Sequence, residues 1–275
     1  MNKKIGIILA IVLVSLMMVG TVSAGLFDFL GGSSDTNATN DNETFIVGFD
    51  SEFPPYGYKD DNGSYVGFDL DLAKEVCERN NWTFKAQPID WDAKDAELDS
   101  GSIDCIWNGF TIDGRENDYL WSKPYFDNKQ IFVVKSDSNI TSIADLKDKI
   151  VETQKDSSAL AALQGDNKTI ADTFKTLTEV ADYNTAFMDL ESGACDAVAM
   201  DIGVAEYDID QKNDTDAYSI LNDSITTEKY GIGFKKGNED LRDQVQKTLD
   251  EMFIDGTVAK IAQKYGISGD ALIQG

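Results

Sequence analysis

Residues 45–56 read FIVGFDSEFPPY, and after a turn at Asn62 residues 67–76 read GFDLDLAKEV. The first segment predicts an apolar strand that ends at Asp50, close to Phe53, and the second has the spacing of an amphipathic helix. A buried strand that stops at such side chains and then leads into a helix places them at the carboxyl edge of a sheet. Open α/β sheets hold ligands at that edge. We therefore predict a ligand site that includes Asp50 and Phe53.

The composition argues against several classes of function. The chain has 275 residues, enough for one large or two ordinary domains, and its formal net charge is -25. Because Lys and Arg supply nearly all attraction to phosphate backbones, we predict no binding to nucleic acid or to anionic membranes. The absence of histidine removes Ser-His-Asp and Cys-His catalysis and the commonest metal ligand. We predict no metal, no cofactor and no catalytic residue.

The three cysteines, Cys77, Cys105 and Cys195, are an odd number without C-x-x-C spacing. This pattern indicates neither a zinc site nor a full disulfide framework. Their apolar neighbours favour buried free thiols over a bridge between Cys77 and Cys105.

Residues 1–24 have the pattern of an export signal, with two lysines, an apolar run and small residues before the end. The run approaches membrane-spanning length, so an uncleaved anchor is the alternative. Residues 25–43 are predicted to form a flexible tether, since they become rich in Gly, Ser, Asn, Asp and Thr. Either reading places the protein outside the cytoplasm, in a periplasm or on the outer face of the membrane.

Asn-x-Ser/Thr acceptor sequences are frequent. They occur at Asn37, Asn42, Asn62, Asn81, Asn139, Asn167, Asn213 and Asn222. Their number predicts a glycosylated exported surface, with simple enrichment in Asn and Thr as the alternative.

A short internal sequence repeat predicts two similar lobes. Residues 98–109, LDSGSIDCIWNG, recur in outline at 190–201, LESGACDAVAMD. In each copy a helix ends at a glycine, and a short apolar run typical of a buried parallel strand follows. Two such sheets with their strand ends facing inward would form a cleft, although a motif this short also arises by coincidence.

Two extended apolar segments, residues 130–134 and 230–234, bracket the middle of the chain. If both cross between the lobes, they form a two-strand hinge. This predicts a discontinuous first lobe of residues 44–130 and 230–275, and a second lobe of residues 131–229.

Further segments extend the pattern. They are Asp90-Trp91-Asp92, residues 104–112 (DCIWNGFTI), Arg115, residues 122–125 (SKPY), Gln154 with Ser157-Ser158, residues 196–201 (DAVAMD) and the tail from Tyr230. With the opening block, they resemble in order and spacing the extracellular solute-binding proteins, family 3, that serve polar amino-acid ABC transporters. The resemblance spans essentially the whole mature chain. It implies an α/β fold of two Rossmann-like lobes joined by a two-strand hinge, like that of type II periplasmic binding proteins. It also implies a monomer that captures an amino acid by closing, in Venus-flytrap fashion, and passes it to ABC permease subunits.

The resemblance further implies a site for a free amino acid. Its ligand-binding residues here are Asp50, Phe53, Trp91, Gly109, Thr111, Arg115, Gln154, Ser157, Ser158 and Asp201. Arg115, Thr111 and the helix start at Ser157 and Ser158 would hold the α-carboxylate. Asp201 and a backbone carbonyl near Gly109 would hold the α-ammonium.

Phe53 and Trp91 match the positions that flank the ligand side chain in this family. Because Asp50, Glu52 and Asp92 stand near them, a cationic or polar side chain is favoured. Arginine or lysine is the first expectation, and glutamine or histidine the second. The loop from Thr111 to Arg115 is one residue shorter than is usual in the family.

Simpler interpretations stay open. Arg115 lies beside acidic residues and could form a surface ion pair, and Ser157, Ser158 and Asp201 could serve only as helix caps. Relatives with this fold include cyclohexadienyl dehydratases, for which Glu52 or Asp92 would have to act as proton donor. A sensor that acts through a separate membrane protein is a third possibility.

Overall fold

Two open sheets form the core of the protein in the computed structural model, which describes residues 43–212 and 214–274. The strands are β1 (Thr44–Phe49), β2 (Glu52–Phe53), β3 (Gly57–Lys59), β4 (Tyr65–Val66), β5 (Thr83–Pro88), β6 (Cys105–Ile106), β7 (Leu120–Trp121), β8 (Phe126–Lys135), β9 (Ile150–Gln154), β10 (Thr176–Val180), β11 (Ala197–Asp201), β12 (Tyr218–Ile220), β13 (Thr226–Tyr230) and β14 (Gly233–Phe234). The α-helices are α1 (Phe68–Asn80), α2 (Lys94–Ser100), α3 (Ser158–Gln164), α4 (Lys168–Ala171), α5 (Tyr183–Ser192), α6 (Ile202–Asp210), α7 (Glu239–Ile254) and α8 (Thr257–Lys264). Short 3-10 helices lie at Trp91–Ala93, Ile143–Leu146, Thr215–Ala217 and Gly269–Ala271.

The first sheet has the strand order β5-β1-β6-β14-β7. β1 pairs in parallel with β5 and β6, whereas β14 runs antiparallel to β6 and β7. Val47 and Phe49 of β1 are fully buried, because helices α1, α2 and α7 pack against this sheet. A small antiparallel sheet of β2, β3 and β4 lies beside α1. These elements make up the first lobe.

The second sheet has the order β10-β9-β11-β8-β12, and β13 also pairs with β8. β9, β10 and β11 are parallel, and β8 is antiparallel to β11, β12 and β13. Helices α3, α5 and α6 pack against it. These elements make up the second lobe, and the two-lobe α/β fold is as predicted.

The internal sequence repeat corresponds to two equivalent helix-turn-strand units. α2 ends at Gly101 (φ 78, ψ 17) and leads to β6, while α5 ends at Gly193 (φ 80, ψ 18) and leads to β11. Both glycines adopt the left-handed conformation that costs a residue without a Cβ least. In each lobe, therefore, a helix that ends at a left-handed glycine leads into an inner strand of the sheet.

The chain crosses between the lobes twice. It leaves the first sheet after β7 and enters the second at β8, and it returns between β13 and β14. Phe126 pairs with Tyr230 where the two crossings lie side by side. Residues 126–130 thus already pair within the second sheet, ahead of the expected crossing at residue 130. The lobe limits 44–130, 230–275 and 131–229 stay a prediction.

The expected signal or anchor at 1–24 and the tether up to residue 42 lie outside the described residues. Within residues 43–212 and 214–274, no helix has both the length and the apolar character needed to cross a membrane. Cys77, Cys105 and Cys195 are buried free thiols, as predicted.

Candidate ligand-binding cleft

The parallel strands of both lobes point their carboxyl ends at one cavity. β1 is followed by Asp50, and β9 and β11 end at Gln154 and Asp201. The cavity between them has a volume of about 20 Å³ and is lined by Phe53, Trp91, Asn108, Gly109, Thr111, Arg115, Gln154, Ser157, Ser158 and Asp201. Every predicted site residue except Asp50 lines it. Asn108, which lines it as well, was not among them.

This cavity is small, and larger ones exist. A space of about 20 Å³ holds roughly one water molecule. A cavity of about 620 Å³ lies against β8 and β13, but none of the predicted site residues lines it. The smaller cavity is the candidate site because it gathers polar side chains from facing strand ends.

Asp201 forms one wall of the cavity. Its Oδ1 accepts hydrogen bonds from Asn128 Nδ2 (2.7 Å), Gln130 Nε2 (2.8 Å) and Tyr230 OH (2.6 Å). Its Oδ2 accepts no hydrogen bond from the described residues. Asp201 stands at the N-cap position of α6 but makes no capping hydrogen bond, so capping does not explain it.

Glu228 is a further residue of this region, and the sequence reasoning missed it. It is buried on β13, and its Oε1 accepts hydrogen bonds from Thr111 Oγ1 (2.9 Å), Asn128 Nδ2 (2.8 Å) and Gln130 Nε2 (2.7 Å). Its Oε2 accepts from the Ser158 hydroxyl. A signal was present: alternation along a strand puts residues 228 and 230 on the same face, so the buried Tyr230 pointed to a buried Glu228.

The hydroxyls of Thr111 and Ser158 share Glu228 as their acceptor. Both hydroxyls donate to Glu228. A hydroxyl carries a single hydrogen and two lone pairs, so each presents only acceptor capacity to the cavity in this arrangement. The expected donation from the Thr111 hydroxyl to an α-carboxylate is therefore not available here, whereas the role expected of the backbone N–H groups at Thr111 and at the start of α3 stays a prediction.

Ser157 caps α3, as the simpler interpretation had it. Its Oγ accepts from Leu160 N at 3.1 Å and lies 3.2 Å from Thr153 Oγ1. It also lines the cavity, so the cap and the cavity wall are the same residue.

Arg115 faces the cavity from the first lobe. Its guanidinium donates to the backbone carbonyls of Asp156 (3.0 Å) and Thr111 (3.4 Å) and lies 5.3 Å from the ring centroid of Phe110. It forms no ion pair with a carboxylate among the described residues. The surface ion pair offered as the alternative is thus not formed, and the guanidinium is free to pair with an anion.

Aromatic side chains and Gly109 complete the wall. Phe53 is buried, and a Cβ added at Gly109 would lie 2.8 Å from its ring, so only glycine fits there. Gly109 (φ 55) donates its N–H to Asp69 Oδ2 at 2.5 Å. The Lys94 ammonium lies 5.3 Å from the ring centroid of Trp91. The tryptophan face expected to meet a cationic ligand thus already contacts a cation.

Asp50 lies behind the cavity rather than on it. Its Oδ2 accepts from Gln154 Nε2 at 2.6 Å, a hydrogen bond between the two lobes. It lines a separate cavity of about 430 Å³, whose charged residues are Asp50, Glu52, Asp90, Asp92, Lys155, Glu179 and Asp182. Trp91 borders both cavities, so this acidic space adjoins the candidate site.

The acidic residues differ in their proton affinity. Burial raises the pKa of Asp50 to about 6. Burial, and then Asp182, raise the pKa of Glu52. A hydrogen bond from Lys155 lowers the pKa of Asp92, which is the opposite of the shift that a proton donor needs.

No group of three or more Asp, Glu or Cys side chains in the described ranges could hold a metal ion. The cleft instead combines an anionic wall, a guanidinium and aromatic surfaces, which is chemistry for a zwitterion.

Comparisons with known proteins agree with this chemistry. Residues 45–268 match the bacterial extracellular solute-binding proteins, family 3. The chain belongs to this family.

Three proteins whose names or titles mention an amino acid resemble this chain along most of their length. The L-cystine-binding protein TcyJ of Escherichia coli is 29% identical over 236 residues, which is 83% of this chain and 85% of that protein. A Streptococcus pneumoniae ABC uptake transporter substrate-binding protein with bound histidine has a TM-score of 0.80 at 32% identity, covering 84% of this chain and 95% of that one. An ancestral arginine-binding protein bound to arginine has a TM-score of 0.75 at 36% identity, with 82% and 98% covered.

Proposed function

We propose that this protein is the extracytoplasmic substrate-binding component of an amino-acid ABC transporter. It acts as a monomer, captures a polar or cationic amino acid between its lobes and delivers that amino acid to membrane permease subunits. Its amino-terminal segment serves as signal or anchor.

One observation carries the proposal: the free Oδ2 of Asp201 and the unpaired guanidinium of Arg115 line the same cavity from opposite lobes. A free amino acid carries one ammonium and one carboxylate, and burying it is favourable only if both charges are paired. Since the partners stand on separate lobes, the ligand binds the closed form best and shifts the hinge equilibrium toward it.

Arginine or lysine is the first expected ligand, and glutamine or histidine the second. The adjoining acidic cavity supports a cationic side chain, because six carboxyl groups line it against one lysine. Relatives named for cystine, histidine and arginine support the wider class of amino acids.

A thermal-shift screen of the twenty amino acids and L-cystine on the purified protein tests the proposal. A shift of several degrees for one ligand class is expected, because a ligand that binds only the folded state stabilises it. Equal, flat responses to all compounds would overturn it. The dehydratase alternative requires turnover of a cyclohexadienyl substrate, and we expect none.

Surface glycosylation also belongs to the proposal. Asn62, Asn81, Asn139 and Asn222 are exposed acceptors, whereas Asn167 is half-buried and donates to the Ile225 carbonyl (2.9 Å). Mass spectrometry of protein from the native organism should find glycans on the four exposed sites first.

A further inference from the structure

Asp201 and Glu228 form a buried carboxylate pair. The Nδ2 of Asn128 and the Nε2 of Gln130 each donate to both side chains, so the same two amides bridge the pair. Within the described part of the chain, neither carboxylate forms an ion pair with Lys or Arg. Two buried carboxylates without a cation are costly, and the cost falls if a cation arrives or if one of them holds a proton.

Glu228 also determines what the neighbouring hydroxyls offer. It takes the hydrogens of Thr111 and Ser158, one from each lobe, which leaves their lone pairs to face the cavity. These lone pairs accept hydrogen bonds, and so does Asp201 Oδ2 in its ionised form. This end of the cavity is therefore built for a group with several N–H donors and a positive charge.

We propose that Glu228 is the residue that makes this end of the cleft an ammonium site, and that capture of a ligand's ammonium displaces a proton from Asp201 Oδ2. This inference rests on the proposed function and deepens it. In the step, the O–H bond at Oδ2 breaks, the proton passes to water, and an ammonium N–H of the ligand takes its place as the hydrogen-bond donor. Glu228 acts through Asp201 and the two hydroxyls, since its own oxygens are already occupied.

The groups that face Asp201 are consistent with a proton on its carboxyl group. Burial, followed by the charge of Glu228, raises the pKa of Asp201. Tyr56, Tyr183 and Tyr230 also face it, and burial raises the pKa of each well above its ordinary value, so they stay neutral. Arg115, on the cavity wall contributed by the first lobe, is the cation of this cavity and is assigned to the ligand carboxylate.

The proposal predicts how ligand affinity depends on pH. At low pH Asp201 holds its proton, and at higher pH it is ionised and attracts the ammonium more strongly. Affinity should therefore rise with pH across the neutral range. In Glu228→Gln the burial of Asp201 remains but the charge of Glu228 is gone, so Asp201 ionises at lower pH and affinity should change less than in the wild type over the same range.

Isothermal titration calorimetry tests this with the amino acid that gives the largest shift in the thermal screen. Titrations at about pH 5.5, about pH 7 and about pH 8.5, in pairs of buffers with different ionisation enthalpies, report affinity and protons released together. The wild type should release a fraction of a proton near pH 7 and bind at least about tenfold more tightly at the higher pH. Glu228→Gln should release fewer protons and match the wild type most closely at the lower pH.

Glu152→Gln is the matched control, because Glu152 is a buried glutamate of the same sheet that lines no cavity of the site. It should keep the wild-type affinity and proton release. A wild type that binds without releasing protons overturns the inference alone, even if Glu228→Gln fails to fold. So does a Glu228→Gln variant that keeps the wild-type pH slope. A wild type that binds no amino acid overturns the proposed function, and the inference with it.

Discussion

At the scale of single residues, Asp201 combines two roles on its two oxygens. Oδ1 is held by three donors from β8 and β13, which fixes the side chain in place. Oδ2 is left for the cavity. A charged group positioned by neutral donors, with one free oxygen, is a preorganised partner for a cation.

Asp201→Asn should remove amino-acid binding while leaving the fold intact. The amide oxygen can still accept the three hydrogen bonds, but the negative charge is lost, and an unpaired buried ammonium costs about 2–5 kcal/mol. We expect affinity to fall by about 100-fold or more, measured by calorimetry.

Asp243→Asn is the control for Asp201→Asn, since Asp243 is exposed on α7 and remote from the cavity. Affinity within a few-fold of wild type in Asp201→Asn would contradict the ammonium assignment.

At the scale of elements, α2 of the first lobe and the turn before α3 of the second meet at the edge of the cleft. Lys94 of α2, whose side chain is 2% exposed, pairs with Asp156. A second pair joins Lys155 to Asp92 at 2.6 Å, with both side chains exposed. Both pairs connect the lobes, but burial makes their contributions to lobe contact unequal. The exposed pair contributes little. Breaking the pair of the buried Lys94 is costly, because its ammonium then loses its partner.

Lys94→Met should therefore weaken ligand binding about tenfold, and Lys155→Met about twofold or less. The ratio of the two affinities, compared at low and high salt, checks this ranking. Equal effects of the two substitutions would show that burial of Lys94 does not matter for closure.

At the scale of the whole molecule, α6 lies against Tyr56 of the first lobe. A Cβ added at Gly203 would lie 2.3 Å from the Tyr56 hydroxyl oxygen, which belongs to the opposite lobe. Gly203→Ala should thus hinder full closure. We expect a larger radius of gyration with ligand, measured by small-angle X-ray scattering, and affinity reduced about tenfold.

Gly269→Ala serves as the control for Gly203→Ala, because nothing lies within 4 Å of a Cβ there. Adding Tyr56→Phe to Gly203→Ala should restore part of the affinity, since it removes the nearest atom. If Gly203→Ala closed normally, the contact between the lobes would not limit closure.

Stability of the whole molecule should increase as the pH falls from about 8 to about 5. Burial raises the pKa of Asp69 and of Asp208 to about 7 and of Asp50 to about 6. The folded state therefore binds protons that the unfolded state, with ordinary carboxyl pKa values, does not, and stability is lost as pH rises through this window. Asp255, whose pKa is lowered to about 2 by Thr257 and Arg79, acts in the opposite sense only at lower pH.

Thermal unfolding at constant ionic strength should show a melting temperature roughly 5 °C or more higher at pH 5 than at pH 8. Asp208→Asn, which stays uncharged, should exceed the wild type at pH 8 and equal it at pH 5. A flat profile, or one rising with pH, would contradict this assignment of buried carboxyl groups.

Much of the fold was readable from local sequence. The signals for β1, α1 and the two helix-turn-strand units are local. Apolar periodicity and helix-ending glycines lie within about a dozen residues, and they determine the structure of those same residues. Helices α4 and α6 have fewer such local signals. α4 has only four residues, and α6 begins directly at the end of β11, so no turn residue separates the two elements.

The sequence by itself determined the class of the protein and nearly all side chains of the candidate site, because strand ends, helix caps and spacing are local properties that the family pattern records. Only the tertiary structure decided how those side chains are used. The Thr111 hydroxyl donates to Glu228, 117 residues away, and Gln154 reaches Asp50, 104 residues away. Hydrogen-bond direction and burial depend on which distant segments meet, and these contacts set the charge and the polarity of the cleft.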